Sequence, residues 1–459
     1  MKKKGFGLKM KQKKYEMDMC NGPLVKKILL FTIPIMASGI LQLLFNATDI
    51  AVVGKFSGAD SLAAVGSNTA LINLIVNLFL GLSVGANVIV AKYYGAGKNN
   101  EVKETVCTAV MTALISGIFL FFLGLLCAKP MLVLMGAPES VLKKSIIYLR
   151  IYFLGMPAMM LYNFGSAILR AVGDTKRPLY YLIISGIANV CFNLVFVIVF
   201  RTDVAGVAIA TVIAQYISGG MIIRCLMKEE GVCRIEIKKL RIVRSKLKEI
   251  LVVGIPAGMQ GIVFSFSNVI IQSSVNSFGS IAMAGNSAAS NIEGFIYMSM
   301  NAYNQSAISF TSQNLGGRKY DRLKKILFIC IGFVLLVGIV MGWSAYFAGN
   351  ILLRLYSSDA EVIRYGLIRM RIICLTYALC GIMDVFAGCV RGLGFSMAPM
   401  LISTFGACVL RIIWIFTIFK TYHTLTNLYV SYPITWFVTI CAYIICYIVC
   451  LKKLKKKIS

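Results

Sequence analysis

The sequence predicts an all-α integral membrane protein with twelve transmembrane helices, arranged as two six-helix lobes related by a parallel internal repeat. Hydrophobic residues make up 58% of the 459 residues and charged residues only 14%, whereas soluble domains carry about 25% charged residues. In addition, one pattern of residues occurs in both halves of the chain, which indicates a duplicated unit. Most of the chain should therefore face lipid.

The internal repeat has an offset of 221 residues. Duplicated halves are common in secondary transporters, and two repeats with an even number of helices enter the membrane in the same direction. Five residues of the first half recur at this offset in the second half. The first set is Arg150, Leu154, Arg170, Gly173 and Pro178, and the second is Arg371, Leu375, Arg391, Gly394 and Pro399. After a slip of one residue, Pro34 in the first helix returns as Pro256.

Apolar stretches of roughly 20 residues mark the spans. The first half holds stretches at 28–53, 66–91, 105–128, 146–170, 178–200 and 204–227, and the second at 249–276, 281–312, 324–348, 363–392, 398–420 and 425–451. They predict a basic N-terminal tail at 1–27, an N-lobe at 28–227, a linker at 228–248, a C-lobe at 249–451 and a basic C-terminal tail at 452–459. The duplicated lobes make a monomer sufficient for transport.

The formal net charge of +29 comes from clusters that lie on one side of this twelve-helix arrangement. These clusters are Lys2–Lys14, Lys98 and Lys103, Arg170–Arg177, Lys228–Lys248, Arg318–Lys325 and Lys452–Lys457. This is the positive-inside bias, so both termini and the linker should be cytoplasmic in a protein of the cell (inner) membrane. The same charges would attract anionic lipid. Without a soluble domain, a nucleic-acid partner is not expected.

Three acidic residues lie deep inside predicted helices: Asp49, Glu293 and Asp384. A carboxylate at membrane depth costs at least about 2.5–3.5 kcal/mol and usually marks function. Asp49 ends a polar stripe with Ser38, Gln42 and Asn46 on the first helix. Because burial disfavours its charged form, Asp49 is a candidate ion-coupling residue; polar packing between helices is the alternative.

Glu293 shares a helix face with Tyr297, Met300 and Asn304. An acid beside an aromatic ring and a thioether would suit a lipophilic cation, so these residues and Asp384 are candidates for a substrate cavity. Simple packing, or an ion pair with Arg411 in the eleventh helix, explains them equally well. Arg411 could neutralise either Glu293 or Asp384.

The chain shows no sign of enzyme chemistry. It lacks a G-x-x-x-x-G-K-[ST] loop and any nucleophile motif or His/Cys cluster. Its fourteen cysteines include no C-x-x-C pair, and most occur in apolar helices. We therefore predict neither an enzyme nor a cofactor or structural metal, and direct use of ATP is not expected.

The chain resembles the multidrug and toxic compound extrusion (MATE) family over nearly its whole length. The resemblance is carried by PIMASGILQLLFNATDIAVVGK at 34–55, ADSLAAVGSN at 59–68, MGAPESVLKKSIIYLRIYFLGMPAMMLYN at 135–163 and AILRAVGDTKRP at 167–178. It implies an antiporter that expels cationic and other amphipathic compounds in exchange for H⁺ or Na⁺. The implied ion-coupling residues are Asp49, Asn163, Asn189, Asn193 and Thr211, and Pro34 is the implied site of helix bending.

Two departures from the family pattern leave the coupling ion open. Asn193 stands where some members have a second acid, and a seventh-helix glutamate of another branch is missing near Phe264. Oxygen atoms around one carboxylate could hold a proton network or a Na⁺ ion. The alternative function is a flippase for lipid-linked oligosaccharide precursors from the same broad superfamily, which Arg411 favours and the three deep acids disfavour.

Overall fold

A computed structural model describes residues 15–57, 59–134 and 139–456 of the chain. The lysines of the predicted tail between Lys2 and Lys14, and Lys457 at the other end, lie outside the described residues. The same is true of the beginning of the motif at 135–163.

The described residues form twelve long helices, which we label α1 to α12. Those of the first half are α1 (Leu24–Phe56), α2 (Ala59–Gly95), α3 (Asn99–Leu134), α4 (Glu139–Leu154 and Met156–Ala171), α5 (Lys176–Val199) and α6 (Asp203–Lys228). Those of the second half are α7 (Arg244–Asn276), α8 (Ser280–Gly316), α9 (Tyr320–Phe347), α10 (Ala360–Gly392), α11 (Met397–Phe419) and α12 (Leu425–Lys456). Two short helical segments, Ile237–Lys239 and Gly349–Arg354, lie in the connections. The twelve predicted spans are thus confirmed, with α7 beginning inside the predicted linker.

Ten of these helices are long and apolar enough to cross a membrane as single segments, within the described part of the chain. The eleventh is α4, whose two segments meet at Gly155 with a bend of 48°. Pro157 follows at the start of the second segment, where a missing backbone N–H is tolerated. The twelfth, α8, is more polar because it carries Asn286, Glu293 and Asn304, and all three side chains are buried. Because these polar side chains face protein and not lipid, α8 can still cross the membrane.

Local π-helical turns interrupt the regular winding of α5 and α11. They cover Val195–Val199 in α5, and Thr404–Val409 and Ile415–Phe419 in α11. The fifth helix of each repeat thus has a π segment near its end. Such segments are often found at functional sites, and in α5 the segment begins directly after the residues of the site described below.

Two hydrophobic cores divide the structure, one in each half of the chain. The beginning of α1 is an exception, since Leu24, Ile28 and Phe31 pack in the core of the second half. Conversely, Ile250 and Val253 at the beginning of α7 pack in the core of the first half. Each lobe therefore holds the first turns of the other lobe's first helix, which joins the lobes where both helices begin.

The lobes approach each other most closely on the side that carries the linker. There α2 and α7 cross through glycines: a Cβ on Gly254 would lie 2.6 Å from the Cα of Leu82, and a Cβ on Gly258 would lie 2.7 Å from the Cα of Leu78. Glycine is needed at such positions because any side chain would separate the backbones. Near the ends of α2 and α8, Gly95 packs in the same way against the backbone of Gln313.

Residues 15–22, which we call the N-terminal strap, cross this closed side before α1 begins. On one lobe, Met17 donates its backbone N–H to the carbonyl of Val172 at 3.3 Å. On the other, Asn314 donates to the carbonyl of Met19 at 3.0 Å, and Arg322 to that of Gly22 at 3.0 Å. The strap therefore bonds to both lobes on the side where they meet.

Candidate functional site

The N-lobe site consists of Asp49 on α1, Asn189 and Asn193 on α5, and Thr211 on α6. A spacing of four residues puts both asparagines on one face of α5. Asn193 donates a hydrogen bond from its amide to Asp49 Oδ1, and to Asn189 Oδ1 at 3.3 Å. Asn189 in turn donates to Thr211 Oγ1 at 3.4 Å. Four of the five residues that the resemblance implied are thus joined in one hydrogen-bonded chain.

Packing holds the first-helix carboxylate against α5. One turn before Asp49, the ring of Phe45 lies directly over Gly186, where even a methyl group would overlap it. Both asparagines are buried, Asn193 completely. Asn193 Oδ1 has no hydrogen-bond partner among the described residues. This oxygen, the Asp49 carboxylate and the Thr211 hydroxyl are acceptors that a proton donor or a hard cation could use.

Asn163, the fifth implied residue, is half-buried on α4 and donates to the carbonyl of Met159 at 2.9 Å. It makes no direct hydrogen bond to the N-lobe site among the described residues. Pro34 is buried in α1, and its carbonyl accepts a hydrogen bond from Ser38 at 2.8 Å. The carbonyl of Pro34 is therefore satisfied by a side chain one turn later.

Gln42 and Asn46 are exposed on α1. Their direction follows from the neighbouring contacts, because Asp49 meets α5 and Gly39 meets Met298 of α8. At about 100° per residue, Gln42 and Asn46 lie between these two faces of the helix. They therefore point towards the space between the lobes.

A separate cavity of 570 Å³ lies in the second lobe, and we call it the C-lobe cavity. Its walls come mainly from α7, α8, α10, α11 and α12. Three of the substrate-cavity candidates, Glu293, Tyr297 and Asp384, line it, and so does Arg411. Met300 does not: it is completely buried, and its sulfur packs near Gly338 and Gly381. The structure therefore does not bring Met300 to this cavity, since helical spacing alone does not separate a cavity wall from a helix interface.

Glu293 forms an ion pair with Arg369 of α10, a partner that was not predicted from the sequence. The guanidinium donates to both carboxylate oxygens, at 2.9 and 2.7 Å, and to Asn286 Oδ1 at 2.7 Å. The ion pair considered between Glu293 and Arg411 is therefore replaced by the pair between Glu293 and Arg369. The signal available was that Arg369 lies inside the predicted span 363–392, because a buried carboxylate needs a positive partner.

Asp384 is 9% exposed, and its Oδ2 has no hydrogen-bond partner among the described residues. It interacts electrostatically with Arg391 on the same helix without forming an ion pair in the described structure. Arg391 instead donates to Gln260 Oε1 of α7 at 2.6 Å. Asp384 thus lines the cavity, and its buried Oδ2 is left without a hydrogen-bond partner among the described residues.

Arg411 is 2% exposed, and its guanidinium lies 3.9 Å from the centre of the Tyr432 ring. One terminal nitrogen donates to Thr435 Oγ1 at 3.1 Å. Its Nε has no partner, and it forms no ion pair within the described ranges. The predicted neutralisation by Glu293 or Asp384 is thus absent from this arrangement, and a cation–π contact stands in its place.

Comparisons with known proteins find similar proteins over most of the chain. The MatE family model matches residues 34–195 and 256–417, one match in each half. A probable multidrug resistance protein, YoeA of Bacillus subtilis (strain 168), is 28% identical over 82% of this chain and 83% of its own length. The FAD transporter of Shewanella oneidensis is 24% identical over 84% of this chain and 86% of its own length. An outward-facing multidrug resistance MATE transporter structure aligns with a TM-score of 0.91, at 21% identity, over 97% of this chain and 100% of that chain.

Proposed function

The chain belongs to the MATE family of transport proteins, and we propose that it is a secondary antiporter that exports amphipathic organic compounds in exchange for H⁺ or Na⁺ bound at Asp49. The observation that carries this proposal is the hydrogen-bonded chain from Asp49 through Asn193 and Asn189 to Thr211. A carboxylate at membrane depth is expensive to keep without a function. Drug export as the task is supported by the multidrug relatives.

The geometry suggests how the exchange would work. In the ionised state Asp49 accepts the Asn193 N–H, while Asn193 Oδ1 remains free. Protonation would remove the negative charge of Asp49, and a bound Na⁺ would compensate it; either would weaken the electrostatic part of that hydrogen bond. This would change how α1 packs on α5, where Phe45 contacts Gly186. Pro34 lies one to two helical turns before Gly39, where α1 meets α8. We propose that α1 bends at Pro34 when its packing on α5 changes.

The substrate would occupy the space between the lobes and the C-lobe cavity. Gln42 and Asn46 point into that space, and Tyr297, Glu293 and Asp384 line the cavity. We propose that these residues contact substrate, with cationic groups held near Asp384. Access would alternate as the two lobes close on one side and open on the other.

We further propose that the clusters of lysine and arginine place both termini and the linker in the cytoplasm. In that orientation the closed side of the structure, with the N-terminal strap, is the cytoplasmic side. The lobe boundaries would be those of the helices, with the linker between Lys228 and Arg244. A monomer in the cell membrane, with anionic lipid at its cytoplasmic face, would be sufficient.

The test is efflux of a fluorescent amphipathic cation from proteoliposomes, with either a pH gradient or a Na⁺ gradient imposed. Wild-type protein is compared with Asp49→Asn and with Asp321→Asn, an exposed acid at the beginning of α9 that serves as the matched control. We expect one gradient to drive efflux in wild type and control, and Asp49→Asn to lose that efflux. Transport by Asp49→Asn at the wild-type rate would contradict the assignment.

A second candidate function is the flippase for lipid-linked oligosaccharide precursors. The observation that favours it is Arg411, a cavity arginine without an acidic partner in the described structure, because such precursors carry a diphosphate. Accumulation of a lipid precursor in a strain that lacks the gene would support the flippase. Hypersensitivity of that strain to amphipathic dyes, without such accumulation, would support export.

A further inference from the structure

We propose that a groove between α7 and the beginning of α11 binds one anionic phospholipid, with the phosphate on Arg244 and Lys248 and an acyl chain along the apolar residues that follow. This inference goes beyond the proposed export function, because it concerns the outer surface of the C-lobe and not the path of the transported compound. It replaces a general attraction between basic clusters and anionic lipid by one defined site, which we call the lipid groove.

The lipid groove has a volume of 830 Å³, within the range of small-molecule sites. One wall is the beginning of α7, and the other is the turn before α11 with the first residues of that helix. Ser396 in the turn donates to the carbonyl of Val253 at 2.6 Å, which joins the two walls. Val252 and Met397 on these walls are 58% and 56% exposed. Because the α2–α7 crossing closes the space between the lobes on this side, these apolar side chains face outward, where they contact lipid.

Two cations of the lipid groove have no acidic partner in the described part of the chain. Arg244 and Lys248 are both exposed, and a spacing of four residues puts them on one face of α7. Lys246 lies on the opposite face and is 5% exposed; it pairs with Glu101 of α3 and, at 3.4 Å, with Glu249. The protein therefore neutralises the cation on one face of α7 and leaves the two on the other face available to an anion.

The order of charged and apolar residues along α7 matches that of a phospholipid. After Lys248, the same face continues with Leu251, Val252 and Ile255, so the apolar part extends about 10 Å beyond the charges at 1.5 Å per residue. In the proposed orientation α7 begins on the cytoplasmic side, which places Arg244 and Lys248 at the level of the headgroups. Basic pockets between helices on that side bind anionic headgroups. A free anion would leave the apolar walls unfilled, and an uncharged lipid would leave the two cations unpaired.

The internal repeat shows that the matching position of the N-lobe is covered by protein. At Gly173, which has a φ of +97°, a Cβ would lie 2.6 Å from the backbone nitrogen of Met17 in the N-terminal strap. Its repeat mate Gly394, with a φ of +89°, lines the lipid groove, and no described atom lies within 4 Å of a Cβ there. The linker corresponds to the strap in the repeat, but it bonds to the N-lobe: Val243 donates its N–H to Thr108 of α3 at 3.1 Å. The position in the C-lobe is thus left open towards the membrane.

The test is native mass spectrometry of the full chain in detergent, titrated with dioleoyl-phosphatidylglycerol or dioleoyl-phosphatidylcholine. The two lipids have the same chains and differ in the charge of the headgroup. For wild type we expect the first phosphatidylglycerol to bind about tenfold more tightly than the first phosphatidylcholine. The double variant Arg244→Gln/Lys248→Gln should lose this preference. The matched control Lys228→Gln/Lys238→Gln removes the same charge from exposed positions of the linker and should keep it.

A second pair of variants tests the apolar part of the lipid groove at constant charge. Ala398→Trp places a large ring between the walls and should also lose the preference. Ile413→Trp, at a 50% exposed position of α11 outside the groove, should keep it. The melting temperature of each variant without added lipid shows whether it is folded. If the double charge variant does not fold, Arg244→Gln and Lys248→Gln are measured singly, and each should lose part of the preference.

Four results would overturn the proposal. Wild type could bind both lipids equally, or the double charge variant, or both of its single variants, could keep the full preference. Equal losses in the groove pair and the linker pair would show a diffuse attraction and no site. Full retention in Ala398→Trp would exclude the apolar walls. Displacement of phosphatidylglycerol by equimolar glycerol 3-phosphate, which lacks the chains, would assign the charges to a soluble anion. These titrations need neither an ion gradient nor a transported compound, so their failure is distinct from a failure of the export function.

Discussion

Removal of Arg369 should destabilise the protein far more than removal of a similar arginine from the surface of the same helix. Arg369 pairs with Glu293 at 2.7 Å, with side chains that are 8% and 4% exposed. Arg364 pairs with Glu361, also at 2.7 Å, but with side chains that are 60% and 52% exposed. Both pairs join an arginine of α10 to a glutamate, but the buried pair links α10 to α8, whereas the exposed pair lies within one turn of α10.

The expected magnitude follows from what each substitution leaves behind. Arg369→Gln removes two charge-assisted hydrogen bonds to Glu293 and one hydrogen bond to Asn286. Breaking a buried pair by removing one partner costs about 3–5 kcal/mol, because a charge stays buried without compensation. Since Glu293 lines a cavity that water can enter, we expect the lower end, about 3 kcal/mol. The corresponding change at Arg364 should cost about 0–1 kcal/mol.

The assay is thermal unfolding in detergent of Arg369→Gln, Glu293→Gln, the double variant and Arg364→Gln. The double variant should be more stable than Arg369→Gln, because no unpaired carboxylate remains. This non-additivity is the signature of a direct pair and would not arise from two independent packing defects. A loss at Arg369→Gln equal to that at Arg364→Gln, or strict additivity in the double variant, would refute the reasoning.

Three further predictions concern the lobe contact, the N-terminal strap and the N-lobe site. Gly254→Ala should weaken the α2–α7 contact by about 1–3 kcal/mol, because its methyl group would meet the backbone of Leu82. Gly332→Ala, in open space inside α9, should not lower the melting temperature. Burial raises the pKa of the Cys20 thiol to about 11. Its alkylation by iodoacetamide, followed by peptide mapping, should therefore still accelerate above pH of about 9, where an ordinary thiol is already ionised. A plateau of the alkylation rate near pH of about 9 would contradict the burial. Asn193→Ala should slow gradient-driven efflux more than Asn163→Ala, since only the former removes a donor to the carboxylate, and equal rates would speak against the chain of hydrogen bonds.

Much of the architecture could be predicted because lipid imposes a simple rule on the chain. Twelve apolar stretches, a repeat and a one-sided distribution of lysine and arginine suffice to identify helices and lobes. Asp49 stood out for the same reason: a carboxylate inside an apolar helix is costly. The asparagines at 189 and 193 came from the family resemblance, and their spacing agrees with a shared helix face.

The partners of the buried charges could not be predicted in this way. Glu293 and Arg369 are 76 positions apart in the chain, and nothing in either helix's pattern distinguishes Arg369 from Arg411 as the partner. Met300 has the same helical spacing as a cavity residue and yet packs between α9 and α10. The close crossing of α2 and α7, and the exchange of first turns between the lobes, likewise involve contacts that no local pattern records.

Hydropathy and periodicity act along one helix at a time, so they determine which residues enter the membrane and which face of a helix is polar. Which polar faces meet is determined by the packing of several helices at once, where a shift of one turn replaces one partner by another. In this protein that packing leaves Arg411 without an acid among the described residues and places it against the ring of Tyr432 instead. The same packing decides whether a buried charge is neutralised by the protein or awaits a ligand.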